Sequence, residues 1–427
     1  MRVLGGWRYG VSLLAIAGAV AGTTTQAQAG AFAVREQSAY YQGMSFAGAG
    51  TGDTLSSMYW NSAAAAAAPG MNTETHISLI LPDSEITASD GLALGNPFAP
   101  RESGDLGDPA AVPASYANYQ LTDRLFVGLG INSGFGLVTK PDNTNWVGAP
   151  IAVTSDIFTI NLNPTVAYKL TPELSVGVGV QLEYINVRLN NIAGILPAGR
   201  SAELDDYGVG FTAGANWTPR QGTSIGVGYR SSVDFELEGD YSIPGTPFAD
   251  VTGRADLTLP EIVTVGIRQS LTDRVDLLAG FEWTNWSRVG TIPVNGTPET
   301  LSLDYEDGYF YSVGVEYKYS PATTLRAGLA YEESPITDET RSVLLPDSNR
   351  IWVSLGATHK LTEKITIDLG YTHIFAEDAP ICRQAPNEPC SGGAPFIVAE
   401  GEASVDIIAA SFKYKWGDRE PELEPLK

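Results

Sequence analysis

The side chains able to do covalent or metal chemistry in this chain are not spaced for it. Gly222-Thr223-Ser224-Ile225-Gly226 fits the G-x-S-x-G pattern, in which a strand-to-helix turn lifts a nucleophilic serine. A polar turn, Pro219-Arg220-Gln221-Gly222, precedes it here and a strand pattern follows, so no such elbow is expected. His76, His359 and His373 are scattered through the chain without metal-ligand spacing, and each reads as a lumen or girdle residue. Asp205-Asp206 and Glu332-Glu333 read as solvated acids near loops rather than an acid/base pair. A lipid-hydrolysing site would need a serine and histidine brought together, and no such pair is legible. Cys382 and Cys390 lie in the Pro- and Gly-rich stretch PICRQAPNEPCSGG. A local disulfide bracing that loop is expected if the chain is exported; without a histidine in the loop, a metal site is not. The expectation is no catalytic residue, no metal and no cofactor.

The elements that carry these residues follow a period of two. In Ile351 to Phe375, Ile351, Val353, Leu355 and Ala357 alternate with Trp352, Ser354, Gly356 and Thr358. After the polar turn Leu361-Thr362-Glu363-Lys364, Ile365, Ile367, Leu369 and Tyr371 alternate with Thr366, Asp368, Gly370 and Thr372. That period puts one set on each face of a strand, and the short turn makes the pair a hairpin. The pattern recurs from Thr75 to Trp416, as in Val176, Val178, Val180 and Leu182 against Gly177, Gly179, Gln181 and Glu183. The apolar set is expected to face lipid, and the small or charged set the interior.

Met1 to Ala29 has early arginines, an apolar run from Val11 to Ala21 and the small-x-small site Ala27-Gln28-Ala29, which together mark residues 1–29 as a signal peptide. The rest has no apolar run of the roughly 18 residues a spanning helix needs. An exported, glycine-rich chain of alternating strands points to an outer-membrane barrel, whose backbone groups all pair without water. The formal net charge of −23 argues against nucleic acid as a partner. The acids are expected to solvate the lumen and the outer loops.

Short turns at 121–124, 170–173, 219–222, 271–274, 320–322 and 361–364 alternate with longer loops near 88–110, 138–152, 191–205, 241–251, 290–298, 335–340 and 378–397. Six turns between seven loops make fourteen strands, an even count with short periplasmic and long external connections. Tyr168, Trp217, Tyr229, Trp283, Trp286 and Tyr371 fit aromatic girdles. Residues 30–71 break the pattern: GAGTGD and the run Ala63 to Ala68 suit a compact plug, not a strand. The expected organisation is all-β: a signal peptide at 1–29, an N-terminal hatch at 30–71, a 14-stranded antiparallel transmembrane β-barrel at 72–416 and a polar tail at 417–427.

Several motifs resemble the FadL-type outer-membrane long-chain fatty acid transporters, a family that also includes importers of aromatic and alkane hydrocarbons. They are GAFAVREQSAYYQGMSFAGAG and MYWNSA in the hatch, YRSSVDFELEGDYS (Tyr229–Ser242), LTLPEIVTVG (Leu257–Gly266), EWTNWS (Glu282–Ser287) and the segment from Ser334 to Trp352 with its PDSNR. The resemblance spans the mature chain. It implies a barrel blocked by the hatch, a kink in the third strand at Ser133-Gly134-Phe135-Gly136, and ligand that leaves sideways into the bilayer. Glycines within a strand agree with a bend there. The ligand-binding or gating candidates so implied are Phe32, Asn61, Ser62, Ala63, Ser133, Gly134, Phe135, Gly136 and Arg188.

Two departures stand out. The family's Asn-Pro-Ala is Asn61-Ser62-Ala63 here, which frees φ and restores a donor. The family's two basic anchors for a carboxylate fall on Asn191 and Glu306, neither of which can pair with an anion, leaving Arg188 as a substitute if it faces inward. The expected partners are a long-chain fatty acid or another hydrophobic small molecule, with outer-membrane lipid and lipopolysaccharide around a monomer. A neutral hydrocarbon is the alternative cargo, and a general diffusion porin the alternative function.

Overall fold

Residues 30–91, 98–151, 153–191, 199–293, 300–385, 388–391 and 395–417 are described by the structure, a computed structural model. The signal peptide and residues 418–427 of the expected tail lie outside them. The described residues form fourteen barrel strands, each antiparallel to its neighbours. They are β1 (Met71–Gly91), β2 (Ala110–Gln120), β3 (Leu125–Asn132, then Gly136–Thr139), β4 (Thr154–Lys169), β5 (Leu174–Asn191), β6 (Arg200–Arg220) and β7 (Thr223–Arg230, then Val233–Ser242). They continue as β8 (Val251–Leu259, then Ile262–Ser270), β9 (Val275–Thr284), β10 (Gly308–Lys318), β11 (Thr323–Glu333), β12 (Arg350–Lys360), β13 (Ile365–Ala376) and β14 (Ile397–Gly417). The ladder closes between β1 and β14, from Met71↔Gly417 to Gly91↔Ile397. Closure removes the open edges that lipid cannot solvate.

The faces follow the alternation. Val178, Val313, Leu355, Leu369 and Ile408 are exposed on the outside, where lipid takes the place of water. Glu316, Arg326, Asp368 and Thr372 are buried on the inside. Several strands outrun the expected loops: β6 begins at Arg200 and contains Asp205-Asp206, and β1 extends to Gly91. Trp286 belongs to no girdle. It sits in a short 3-10 turn after β9 and is buried in the bore.

Residues 30–70 run inside the barrel and are almost all buried. They contain one helical turn, Ala39–Gln42, and 3-10 turns at Ala49–Thr51, Leu55–Tyr59 and Ser62–Ala66. Such short pieces cannot satisfy their own backbone, so the wall serves as the partner. Gly48 N donates to Ala279 O (3.2 Å), and Ala65 O accepts from Asn118 Nδ2 (2.9 Å). Inward-facing glycines let backbone meet backbone. A Cβ on Gly228 would stand 1.7 Å from Trp60 O, and one on Gly356 would stand 2.6 Å from Gly43 Cα.

Candidate functional site

The β2–β3 ladder runs from Gln120↔Phe126 to Ser115↔Ile131 and stops. Above that level β2 keeps only its β1 partner, down to Ala110↔Ile80. β3 breaks after Asn132 and resumes at Gly136, paired to β4 through Gly136↔Phe158. Across the break Thr159 on β4 holds the chain: its hydroxyl receives Phe135 N (3.1 Å) and donates to Phe135 O (2.8 Å). The vacated side of β3 is taken by the N-terminal segment. Val34 N donates to Gly134 O and Gly136 N to Phe32 O, both at 2.8 Å, with Ala33 bridged to Phe135. Gln37 Nε2 adds a bond to Ser133 O (2.5 Å). Both amide atoms of Asn132, at the lip of the break, are buried without a hydrogen-bond partner among the described residues.

Behind the break lies an apolar cluster. Phe32 packs edge-on to Trp286 (4.6 Å between centroids) and to Phe135 (6.1 Å). Ile185, Leu204, Val233, Phe235 and Leu257 complete its walls. The space bounded by Ala33, Arg35, Trp286 and Phe310 is about 10 Å³. A cavity of about 310 Å³ lies elsewhere, at the short-turn end among Asp53, Lys169, Asn216 and Arg268. Its lining is polar and unsuited to an alkyl chain.

The N-terminal segment is also tied by charge. Arg35 pairs with Glu332 (2.9 Å) and Glu282 (2.8 Å), its guanidinium 4.0 Å from the Phe310 ring centroid. Trp352 Nε1 donates to the other oxygen of Glu332 (3.0 Å). Glu332 is therefore not a solvated acid: it is 2 % exposed, because its partner reaches it from a segment almost three hundred residues away. Ala31 N donates to Asp347 (2.8 Å), which also takes Ser334 Oγ (2.6 Å) and the Arg350 guanidinium. The Ser334-to-Trp352 motif thus clamps the start of the segment.

Asn61 donates to Gly50 O (2.7 Å) and Asn216 Oδ1 (2.6 Å). Ser62 opens a 3-10 turn where a proline would also fit, and its hydroxyl instead donates to Thr212 (2.7 Å). Ala63 is buried beside it. Arg188 does not face inward. It shares the outer face of β5 with Val178, Val180 and Leu182, half-exposed, and pairs with Glu203 on β6 (2.7 Å). Glu306 is exposed, and Asn191 ends β5. The structure thus brings Phe32, Ser133, Gly134, Phe135 and Gly136 together and leaves Arg188 apart. Cys382 and Cys390 are joined by a disulfide. Ser224 lies within β7, with strand on its C-terminal side rather than a helix.

Residues 20–416 match the family model described as outer membrane protein transport protein (OMPP1/FadL/TodX). The chain belongs to this family. It is 25% identical over 446 residues to a long-chain fatty acid transport protein of Escherichia coli O6:H1, covering 94% of this chain and 97% of that one. It is 28% identical over 346 residues to a 47 kDa outer membrane protein of Pasteurella multocida, covering 72% and 77%. Among solved structures, a Pseudomonas aeruginosa FadL homologue superposes with a TM-score of 0.81 at 22% identity, over 91% of this chain and all of that one. The Ralstonia pickettii toluene transporter TbuX does so at 0.63 and 16% identity, over 89% of this chain and all of that one. This is an outer-membrane transport protein with the barrel fold of these structures.

The sequence reading missed Arg35, Glu282, Thr159 and the inward role of Trp286. For Arg35 a signal existed: Arg35-Glu36 is a charged pair inside an otherwise apolar, small-residue segment, and such charges persist in a buried setting only when paired.

Proposed function

We propose that this chain is a passive transporter for hydrophobic molecules, long-chain fatty acids foremost, which leave sideways into the bilayer through the break in β3. The observation that carries this reading is the end of the β2–β3 ladder at Ser115↔Ile131 directly beside the Phe32–Phe135–Trp286 cluster. An alkyl chain loses about 0.8 kcal/mol for each methylene kept in water. A path from an apolar pocket straight into lipid avoids that cost and needs no energy source. Residues 30–71 act as the hatch: Phe32 occupies the apolar site, and ligand enters as the segment withdraws. The Escherichia coli relative named for long-chain fatty acid transport supports the same cargo.

The second reading, neutral aromatics or alkanes, is favoured by one observation. Of the positions aligned with a carboxylate anchor, Glu306 is an exposed acid, and the substitute Arg188 points outward. A deletion strain complemented with this chain and offered oleate, an alkane and toluene in parallel tests both readings. Oleate-dependent uptake supports the first; toluene or alkane uptake without oleate supports the second. Steady large openings in planar bilayers with no hydrophobic uptake would return the chain to the porins.

A further inference from the structure

We propose that the barrel carries a second lateral portal for the same hydrophobic ligand, between β6 and β7. The idea rests on the transport reading above. The β6–β7 ladder runs from Arg220↔Thr223 to Thr212↔Arg230, stops, and resumes from Asp205↔Glu238 to Ser201↔Ser242. Over the interval β6 stays fully paired to β5, and β7 is paired to β8 from Val233↔Leu259 to Leu237↔Ala255. Beside it the β7–β8 ladder is interrupted at Ser231-Ser232 and Pro260-Glu261.

The seam sits where β7 is itself interrupted. Ser231-Ser232 opposes Pro260-Glu261 between two paired stretches of β7 and β8, and Pro260 has no N–H to give a ladder. Both lips carry side-chain bonds, and the first keeps a backbone bond as well, Ser231 N to Phe211 O (2.9 Å). At one lip Phe211 N donates to Ser231 Oγ (2.9 Å), and Gln181 Nε2 donates to Phe211 O and Ser231 O (both 3.2 Å). At the other, Asp206 receives Glu236 N (2.7 Å).

Between the lips the wall is closed by two apolar side chains resting on glycines. A Cβ on Gly208 would stand 2.3 Å from Val233 Cγ1 and 2.8 Å from Phe235 Cε1; one on Gly210 would stand 2.9 Å from Val233 Cγ2. Inside, Val233 and Phe235 belong to the cluster that holds Phe32 and Trp286. Outside, Tyr207, Val209 and Phe211 are 76%, 68% and 53% exposed and present an apolar face to lipid. An alkyl chain crossing here would have to displace Val233 and Phe235.

The seam also lies on the same row of paired residues as the first break. Gly208 is opposite Glu183, Glu183 opposite Asn161, and Asn161 opposite Asn132, the last residue before the β3 break. The two openings flank one apolar cluster. They differ in closure: the first is held by the N-terminal backbone, the second by Val233 and Phe235 beside a backbone bond at its lip.

The test uses the full chain in outer-membrane vesicles. A diazirine-bearing palmitate analogue, photolysed on the unsubstituted protein, is expected to label Val233, Phe235 or Val209 as well as residues 133–137. The Gly208→Cys/Val233→Cys variant, oxidised across the seam, is expected to take up oleate at roughly half the parent rate, one of two parallel exits being shut. Reductant restores it and leaves the parent unchanged. Label confined to residues 133–137, or full uptake by the crosslinked variant, overturns the second portal. A parent that takes up neither oleate, nor an alkane, nor toluene overturns the transport reading itself. Because photolabelling needs no substitution, a folding defect in the variant leaves the question answerable.

Discussion

Phe32 stands edge-on to Trp286, ring centroids 4.6 Å apart at 72°, with Phe135 5.9 Å from the same indole. On the proposed transport reading, this ring of the N-terminal segment fills the apolar site that ligand would enter. Truncating it removes about 3 kcal/mol of burial from the closed state. Phe32→Ala is expected to raise the affinity for a fluorescent fatty acid by at least several-fold, read by titration. Weaker binding would mean that Phe32 forms part of the ligand's own contact surface.

Arg35 is the sole bridge seen between Glu282 and Glu332 among the described residues, and all three side chains are buried. Removing one partner of a buried pair leaves charge uncompensated, at a cost of about 3 to 5 kcal/mol. Arg35→Met is expected to lower the thermal unfolding midpoint. The Arg35→Met/Glu282→Gln/Glu332→Gln variant is expected to recover much of the loss. Equal midpoints for the single variant and the parent would show the pairing to be idle.

Gly228 receives the Trp60 carbonyl so closely that no side chain fits. Both groups are backbone, so neither can turn aside. Gly228→Val is expected to unseat the Tyr59-to-Asn61 stretch and raise ion conductance in planar bilayers above the parent's. Gly417→Ala, with nothing within 4 Å, is the control and should match the parent.

Burial pushes the Glu36 carboxyl up from 4.5 to about 7, although Arg35 opposes the shift. Its Oε2 finds no hydrogen-bond partner among the described residues. A folded-state value above the unfolded one means that the folded chain holds the proton longer. Stability is then greatest below the unfolded value, falls as pH rises from about 4.5 to about 7, and levels off beyond. The unfolding midpoint is expected to drop between pH 5 and pH 7 in the parent and much less in Glu36→Gln. An identical slope in both would assign the dependence to another group.

The period-two pattern made the barrel legible, because a lipid-facing strand must alternate and a short turn must follow. It also held the answer for Arg188, whose parity with Val178, Val180 and Leu182 places it outside. Glu332 and Trp286 were not legible. Each is defined by a partner from the N-terminal segment, Arg35 and Phe32, and such distant pairings leave no local trace. The Ser231-Ser232 and Pro260-Glu261 pairs were visible as family-like motifs. Their effect on the ladder emerges only when β6, β7 and β8 stand side by side.

β1 and β14 are each 21 residues long, whereas roughly ten residues suffice to cross the apolar band. At about 3.3 Å per residue, the surplus lifts the rim of the cylinder tens of ångströms beyond the hydrocarbon. Its mouth therefore opens well clear of the apolar layer. On the proposed transport reading, the polypeptide itself shields a greasy compound over that stretch.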